Sequence, residues 1–494
     1  MYFIGVDLGT SATKFLLMDG AGGIANITSR PYPVEFPRPG WSQQDPEDWW
    51  GAVLEGIPEL LDGRDASQVR GIGCGGQMHG LVTLDGSDGV VRPAILWNDG
   101  RSTREVAYLN ETIGVPRMLE MTGNVAFAGF TAPKILWMRE NEPELLSRVA
   151  HVMLPKDFVN YRLTGNLTTD PSDASGMLLL DVAGRTWSGE MLDVCGLTED
   201  MLPAVHESYE PVGTLLPEVA ERLGLPADVV VCAGAGDNAA AAVGCGVVGE
   251  GSCNISLGTS GTVLVPTRSF PAGVGDRIHS FCHADGGWHV MGCVLSAASC
   301  NSWWAKDVLG TEDLAGEQVG IDPSLVSPDQ PYFLPYLMGE RSPHNDPLAR
   351  GAFVGLRMDS ARRDMTRAVL EGVAFAIRDS VEIARSLGTT VEASKVCGGG
   401  AKSALWLQMM ANALDATLEL PETEQGPGYG GAILAAVACG EYPSVADACE
   451  RLVHVSRRVS PEPSAVEAYD GRYRIWRSLY PALREPFQAM GGRR

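Results

Sequence analysis

The chain contains 494 residues, of which 45% are hydrophobic and 20% are charged, so its composition is that of an ordinary folded protein and excludes a disordered one. Because a chain of this length exceeds what one hydrophobic core usually supports, it predicts two domains of about 250 residues each. The formal net charge of −23 argues against a nucleic-acid-binding surface, which needs clustered Lys and Arg side chains.

The N-terminal segment predicts a β-hairpin with a polar tip. Tyr2 to Val6 has the pattern of a buried strand, and Lys14 to Met18 has that of the returning strand. A glycine in the tip allows close approach to an anion, and hydroxyl groups can donate hydrogen bonds to phosphate oxygens. The hairpin therefore predicts a phosphate site formed by Gly9, Thr10, Ser11, Thr13 and Lys14.

The sequence also gives expectations about where the protein works. Its N-terminus has no basic segment ahead of an apolar one, and its longest apolar run, Ala239 to Val248, is far shorter than the roughly 20 residues that span a bilayer. The 11 cysteines are dispersed with no C-x-x-C pair, which indicates neither a disulfide framework nor zinc. We expect a cytoplasmic protein with no leader peptide and no membrane partner.

A formal dinucleotide fingerprint, G-x-G-x-x-G, occurs at Gly71 to Gly76. That motif binds NAD only where it opens a helix after a strand, and here a second strand pattern follows it. An NAD-dependent oxidoreductase is therefore the weaker hypothesis. The next residues, Gln77, Met78 and His79, would lie where a glycine-rich strand end meets a cleft.

The centre of the chain combines a carboxylate with a second hydroxyl-rich turn. Asp237 and Asn238 follow a Gly-rich turn just ahead of an Ala-rich segment, an arrangement that suggests a catalytic base beside a phosphate cradle. Leu8-Gly9-Thr10-Ser11 then recurs as Leu257-Gly258-Thr259-Ser260, about half a chain length later. The repeat predicts two related domains, covering residues 1–248 and 249–494.

The C-terminal half carries four further patterns. Gly339 to Asn345 is a loop dense in polar groups, and a long helix is predicted from about Ser360 to Leu387. Cys397 runs into a Gly398-Gly399-Gly400 turn that can lie against a nucleotide. A turn over 426–431 leads into an Ala-rich helix over 432–439, and a core-facing aromatic stripe over 469–480 precedes an Arg-rich tail that we expect to fray.

Seven motifs, in this order along nearly the whole chain, resemble the FGGY family of carbohydrate kinases: Asp7 to Ser11, Gly76 to His79, Leu96 to Arg101, Gly234 to Ala239, Ser256 to Ser260, Gly339 to His344 and Gly398 to Ala401. The resemblance implies an α/β, actin-like (ribonuclease H-like) fold of two duplicated domains with ATP in the cleft between them. It also implies phosphoryl transfer from ATP with Mg²⁺ to a sugar. Met78-His79 stands where glycerol kinases of the family carry Arg-Glu, which favours a ketopentose such as D-xylulose.

The resemblance also implies roles for individual residues. Asp237 would be the catalytic base, and Asp7 would help to hold the Mg²⁺ of the nucleotide. The sugar would contact Gln77, Met78, His79, Asp237 and Asn238. The β- and γ-phosphates would lie among Thr10, Ser11, Lys14, Gly258, Thr259 and Ser260, and the adenosine beside Gly399 and Gly400. Lys14 stands where Arg is frequent in the family, and it cannot form Arg's bidentate fork.

Several alternatives stay open. Within the family, the substrate could be D-ribulose, L-xylulose or a polyol, because pocket shape sets the stereochemistry. Outside it, a non-catalytic actin-like protein would share both phosphate turns, although it would not need the polar segments 76–79 and 339–343. Relatives are often dimers, so a homodimer is one possibility, and the sequence leaves the oligomeric state open.

Overall fold

The computed structural model describes residues 1–491; the expected fraying of the Arg-rich tail falls mostly outside them. Each half of the sequence supplies one seven-stranded mixed sheet. The strands of the N-terminal sheet are β1 (Tyr2–Leu8), β2 (Ala12–Asp19), β3 (Ile24–Pro31), β4 (Val69–Gly76), β5 (Pro211–Thr214), β6 (Val230–Cys232) and β7 (Ala235–Gly236). Those of the C-terminal sheet are β8 (Gly251–Leu257), β9 (Gly261–Thr267), β10 (His279–Cys282), β11 (Trp288–Val294), β12 (Val391–Cys397), β13 (Thr417–Pro421) and β14 (Val455–Val459).

The two sheets repeat one topology. The N-terminal order is β5-β6-β4-β1-β2-β3, and the C-terminal order, β14-β13-β12-β8-β9-β11, matches it strand for strand with β10 added at the edge. In both, two antiparallel pairings follow the first strand, and a parallel strand flanks it on the other side. The predicted hairpin is confirmed as β1–β2, with Asp7 opposite Lys14, and its repeat is confirmed as β8–β9.

Within the described residues, ten α-helices of eight residues or more surround the sheets and the site. They are α1 (Pro46–Leu60), α2 (Val115–Thr122), α3 (Thr131–Asn141), α4 (Pro155–Thr164), α5 (Asp237–Gly244), α6 (Arg362–Ser386), α7 (Ala404–Leu414), α8 (Gly426–Ala438) and α9 (Val445–Leu452), followed by the C-terminal α10 (Pro463–Gly491). Shorter helices span Thr103–Ala107, Pro143–Leu146, Pro171–Ala174, Gly189–Cys195, Pro217–Leu223 and Ala298–Ser302. Short strands outside the sheets span Gln43–Gln44, Val82–Asp85, Ala94–Ile95, Val149–Met153, Thr168–Thr169, Leu180–Asp181, Thr186–Trp187, Ala204–Val205, Tyr332–Leu334 and Ala352–Val354.

Helix α8 begins earlier than the sequence pattern predicts. The segment 426–431, interpreted as a turn because of its glycines, forms the first turns of the helix. Its glycine face packs on the N-terminal sheet: a Cβ on Gly5 would lie 1.7 Å from the carbonyl oxygen of Gly428, and one on Gly73 would lie 2.1 Å from that of Gly431. Tertiary packing thus outweighs the poor helix propensity of glycine.

Close packing also explains the dinucleotide-like glycines. In β4, a Cβ on Gly71 would meet the Cys439 Sγ at 2.8 Å, and one on Gly76 would meet the Lys156 Cβ at 2.7 Å. These residues are glycines because helices approach the strand closely, so the rejection of an NAD site is consistent with the structure. Since α8 comes from the second half of the sequence, the boundary at residue 248 stays a prediction.

Replacing Gly73 by Ala should destabilise the protein by about 1–3 kcal/mol, because the added methyl has no room beside the α8 backbone. The midpoint of chemical unfolding measures this effect. The matched control is Gly51→Ala in α1, where a Cβ meets nothing within 4 Å and alanine should be neutral or stabilising by up to about 1 kcal/mol. Equal midpoints for the two variants would contradict this account of the packing.

Candidate active site

Asp237 is the first residue of α5. It follows a turn in which Gly234 has φ +75 and would place a Cβ 2.3 Å from the Cys74 carbonyl oxygen, so only glycine fits there. The side-chain amide of Asn238 donates a hydrogen bond of 2.8 Å to the Asp237 Oδ1. The turn, the helix start and the amide together fix the direction of the carboxylate.

Asp237 lies where two cavities meet. The larger cavity has a volume of about 300 Å³ and the smaller about 190 Å³. Four residues line both of them: Asp237, Asn238, Ser260 and Thr262. The Asp237 carboxylate can therefore contact a group bound in either cavity.

The larger cavity contains the second hydroxyl-rich turn. Gly258, Thr259 and Ser260 line it, as predicted for a phosphate site, opposite the start of α8 at Gly426 and Pro427. The cavity also includes residues that the sequence reasoning did not select: Ala241, Cys245, Asn254, Ser256, Cys397, Thr423 and Glu424.

The smaller cavity is lined by both polar and apolar groups. Met78 and His79, two of the predicted sugar contacts, line it. The sequence reasoning missed Trp97, Gly129, His279, Met291, Cys293 and Arg341, which complete the lining. Trp97 lies in the motif Leu96 to Arg101 and Arg341 in the motif Gly339 to His344. Membership of these motifs could have identified both as candidate site residues.

His79 is held in an unusual backbone conformation, with φ 70. Its carbonyl oxygen accepts hydrogen bonds from the Lys134 ammonium at 2.7 Å and from the Thr131 hydroxyl at 3.1 Å, which stabilise that conformation. Its Nδ1 lies 2.9 Å from the Gly176 carbonyl oxygen. Burial, with the charge of Lys134, lowers the pKa of His79 to about 3. The ring is therefore neutral, with Nδ1–H donated to Gly176, which leaves Nε2 as an acceptor.

Arg341 supplies the cationic group of the smaller cavity. Its guanidinium lies 4.4 Å from the centre of the Phe127 ring, and its buried Nε has no hydrogen-bond partner in the protein. The buried Nδ1 of His279 likewise has none. An uncompensated buried donor is costly unless a ligand or water satisfies it. Both groups therefore fit a ligand rich in oxygen atoms.

The first hairpin tip reaches the site through Trp97. The indole Nε1 of Trp97 donates a hydrogen bond of 3.0 Å to the Thr10 hydroxyl, which brings the tip to the edge of the smaller cavity. Ser11 and Lys14 are exposed nearby. Gln77 is buried, and its amide bonds the Gln44 side chain at 3.1 Å, so it supports the tip and does not line either cavity.

Asp7, in β1, lies close enough to Asp237 to affect its ionisation. Burial, together with the negative charge of Asp7, raises the pKa of Asp237 to about 7. Burial also raises the pKa of Asp7, against the opposing effect of Lys14. Within residues 1–491, no group of three or more His, Cys, Asp or Glu side chains could hold a metal ion alone. Because Asp7 is a buried carboxylate beside a second acidic group, it fits Mg²⁺ whose other ligands are phosphate oxygens and water.

The glycine turn after β12 is placed differently from the hairpin tips. Gly400 packs against Leu257 and Trp406, where a Cβ would lie 2.9 and 3.0 Å from their side chains, whereas a Cβ on Gly399 would meet nothing within 4 Å. Neither residue lines the larger cavity, although Cys397 two positions earlier does. The role predicted for this turn in holding adenosine stays a prediction.

Two roomier surface grooves lie elsewhere on the molecule. One of about 520 Å³ is lined by residues such as Trp50 and Arg162, and one of about 490 Å³ by residues such as Trp187 and Glu199. No predicted site residue lines either groove, so volume alone does not identify the site. Over the described residues 1–491, no helix has the length and apolar character needed to cross a membrane.

The repeated sheets, with the acidic side chain of Asp237 between two adjoining cavities, fit a carbohydrate kinase of two related domains. The models of the FGGY family of carbohydrate kinases match residues 2–244 with the N-terminal domain and residues 253–439 with the C-terminal domain, and the chain belongs to this family.

Named relatives and solved structures agree with this assignment. The chain is 40% identical to a xylulose kinase of Escherichia coli (strain K12), over 97% of this chain and 99% of that protein. It is 36% identical to a xylulose kinase of Bacillus subtilis (strain 168), over 97% and 96%. A crystal structure described as a xyloylose kinase from Brucella ovis superposes with a TM-score of 0.92 at 40% identity, covering 98% of this chain and 100% of that one.

Proposed function

We propose that the protein catalyses the ATP-dependent phosphorylation of D-xylulose to D-xylulose 5-phosphate. The observation that carries this proposal is the position of Asp237 on the wall shared by the two cavities. A nucleotide in the larger cavity and a sugar in the smaller one would meet at this carboxylate. The E. coli and B. subtilis relatives, both named xylulose kinases, support this choice of sugar.

The larger cavity suits the triphosphate of ATP. Phosphoryl transfer requires in-line positioning and neutralisation of charge on the γ-phosphoryl group, with little covalent work for side chains. Thr259 and Ser260 present hydroxyl and backbone donors at the cavity wall, and the first hairpin would close on the phosphates from the other domain with Thr10, Ser11 and Lys14. Bound Mg²⁺, held in part by Asp7, would supply positive charge toward the β- and γ-phosphate oxygens.

The smaller cavity suits a sugar with several oxygen atoms. Arg341 offers donors, the neutral His79 offers an acceptor at Nε2, and Met78 and Met291 add apolar surface. The carboxylate of Asp237 would accept the proton of the 5-hydroxyl as its oxygen attacks the γ-phosphorus. Closure of the domains would exclude water, which could otherwise attack in place of the sugar.

A kinase assay over a substrate panel tests this proposal. ADP release is measured with D-xylulose, D-ribulose, L-xylulose, xylitol and gluconate; gluconate is included because a gluconate kinase from Lactobacillus acidophilus superposes with a TM-score of 0.92 at 25% identity. We expect the highest kcat/KM for D-xylulose. A higher value for another substrate would reassign the substrate. If no compound in the panel stimulated ADP release, the proposed kinase activity would be wrong.

The pH dependence of kcat/KM should follow Asp237. The base must be ionised, and its pKa is raised to about 7, so kcat/KM should fall about tenfold per pH unit as pH drops below that value. Because the charge of Asp7 contributes to the raised pKa, Asp7→Asn should move the fall to lower pH, even if its activity is lower. A wild-type profile that is flat through neutral pH would contradict Asp237 as the titrating base.

Four finer points belong to the same proposal. Gly399 and Gly400 would lie beside the adenosine, the domains would divide near residue 248, and the protein would work in the cytoplasm as a homodimer. Sedimentation of the purified protein tests the homodimer, and Gly399→Val tests the turn, because a branched side chain there should weaken ATP binding with little effect on the sugar KM.

A further inference from the structure

Two cysteines from different halves of the chain meet in the wall of the larger cavity. Cys245 immediately follows α5, the helix that begins with Asp237. Cys397 is the last residue of β12 in the C-terminal sheet, where it pairs with Ser256 of β8. Both side chains line the cavity. A bond between them would therefore join the helix of the base to the sheet of the other domain.

The two thiols act on each other's ionisation. The interaction with Cys245 lowers the pKa of Cys397 to about 7, and the same interaction raises that of Cys245; the Cys397 Sγ also lies 3.9 Å from the Asn254 Oδ1. All 11 cysteines lie within the described residues, and Cys397 is the one whose pKa is lowered. Because the thiolate is the reactive form of cysteine, Cys397 is the nucleophile of the pair and Cys245 the partner thiol beside it.

We propose that Cys245 and Cys397 are a modification site, at which a hydroperoxide converts the pair to a reversible disulfide that closes the larger cavity. The sequence shows no disulfide framework, and disulfides in reducing compartments are characteristically transient and redox-responsive. The closure of the cavity to ATP depends on the function proposed above. Formation of the bond itself does not.

The chemistry balances in two steps. The Cys397 thiolate attacks the hydroperoxide, the O–O bond breaks, and Cys397 becomes a sulfenic acid while the departing alkoxide takes up the proton released by the thiol. The Cys245 thiol then attacks the Cys397 sulfur, and water leaves as the S–S bond forms. In sum, two thiols give up two electrons and two hydrogens, and the hydroperoxide becomes one alcohol and one water molecule. A dithiol reductant reverses the bond by exchange.

The bond would act on ATP in two ways. It would draw together two walls of the cavity that has to admit ATP. It would also fix α5 to β12 and so oppose any movement of the two domains during closure. Bound ATP would occupy the space in front of both sulfurs and so protect them. Loss of activity should therefore depend on oxidation and be slowed by nucleotide.

The test treats the reduced full-length protein with hydrogen peroxide, blocks free thiols, and maps linked peptides by mass spectrometry while activity is followed. We expect a Cys245–Cys397 peptide whose yield parallels the loss of activity, recovery of both with dithiothreitol, and slower linking with a non-hydrolysable ATP analogue and Mg²⁺. In Cys245→Ser and in Cys397→Ser, activity is compared before and after peroxide treatment. Peroxide should no longer cause a loss of activity that dithiothreitol can restore.

The matched control is Cys439→Ser, because Cys439 is partly exposed but lies outside both cavities; it should keep the full response. No linked peptide, or a response abolished by Cys439→Ser, would overturn the proposal. Linking without nucleotide protection would overturn the closure of the cavity to ATP. Because linking is read from peptides, it is scored even if the sugar assay fails, which separates this inference from the proposed function.

Discussion

Asp237→Asn should lower kcat by about 10²- to 10⁴-fold, the range attributed to a general base. The replacement keeps the shape of the side chain and can still bond Asn238, but it cannot accept a proton. ATP should bind as well as before or more tightly, because the variant removes a negative charge that lines the larger cavity. Steady-state kinetics with D-xylulose and a direct nucleotide-binding measurement, such as calorimetry, together test this expectation.

The matched control for this change is Asp415→Asn, which makes the same replacement at an exposed position with φ 46, a conformation that asparagine tolerates. Its kinetics should equal those of the wild type. If Asp237→Asn retained a near wild-type kcat, Asp237 would not be the base. If Asp237→Asn also lost ATP binding, the replacement would have disturbed the structure of the site, and the loss of activity could not be assigned to proton transfer.

Arg341→Met should raise the KM for the sugar by about tenfold to a hundredfold, which corresponds to about 1.5–3 kcal/mol for a lost hydrogen bond to a charged group. Methionine keeps much of the length of the side chain but has no donors. Arg341 lines the smaller cavity only, so the KM for ATP should change much less. Initial rates measured over a range of each substrate separate the two effects.

Arg341→Lys is the graded comparison, because lysine keeps the charge but loses the planar fork that can bond two oxygens. It should fall between Arg341→Met and the wild type. Far-UV circular dichroism should be unchanged in both variants. A rise in the KM for ATP equal to that for the sugar would show that Arg341 does not belong to the sugar pocket.

The hairpins and the placement of Asp237 between a glycine-rich turn and an Ala-rich helix were predictable because their signals are local. A glycine-and-hydroxyl tip between two short apolar runs predicts a hairpin wherever it occurs, and the copy at Leu257 to Ser260 predicts the duplication. The long helix α6 was predicted to within two residues at its start and one at its end, since its apolar spacing persists over many turns. Local pattern was sufficient for these elements.

Other parts of the site were not predictable, because distant segments build them. His279 and Met291 belong to adjacent strands of the C-terminal sheet, yet they complete a pocket begun by Met78 and His79 of the other half. No spacing rule links such residues. For α8, intrinsic propensity pointed to a turn, and only the glycine-lined face of the N-terminal sheet explains why a helix forms there.

The packing of α8 on β1 and β4 also constrains how the protein is made. The last strand of the first sheet ends at Gly236. Helix α8, which covers the glycine-rich face of that sheet, is formed by residues 426–438 and leaves the ribosome much later. The nascent first half should therefore wait, with an incompletely covered sheet, through most of synthesis. A chain stopped before Gly426 should be cleaved by protease within β1 or β4 far faster than the full-length protein.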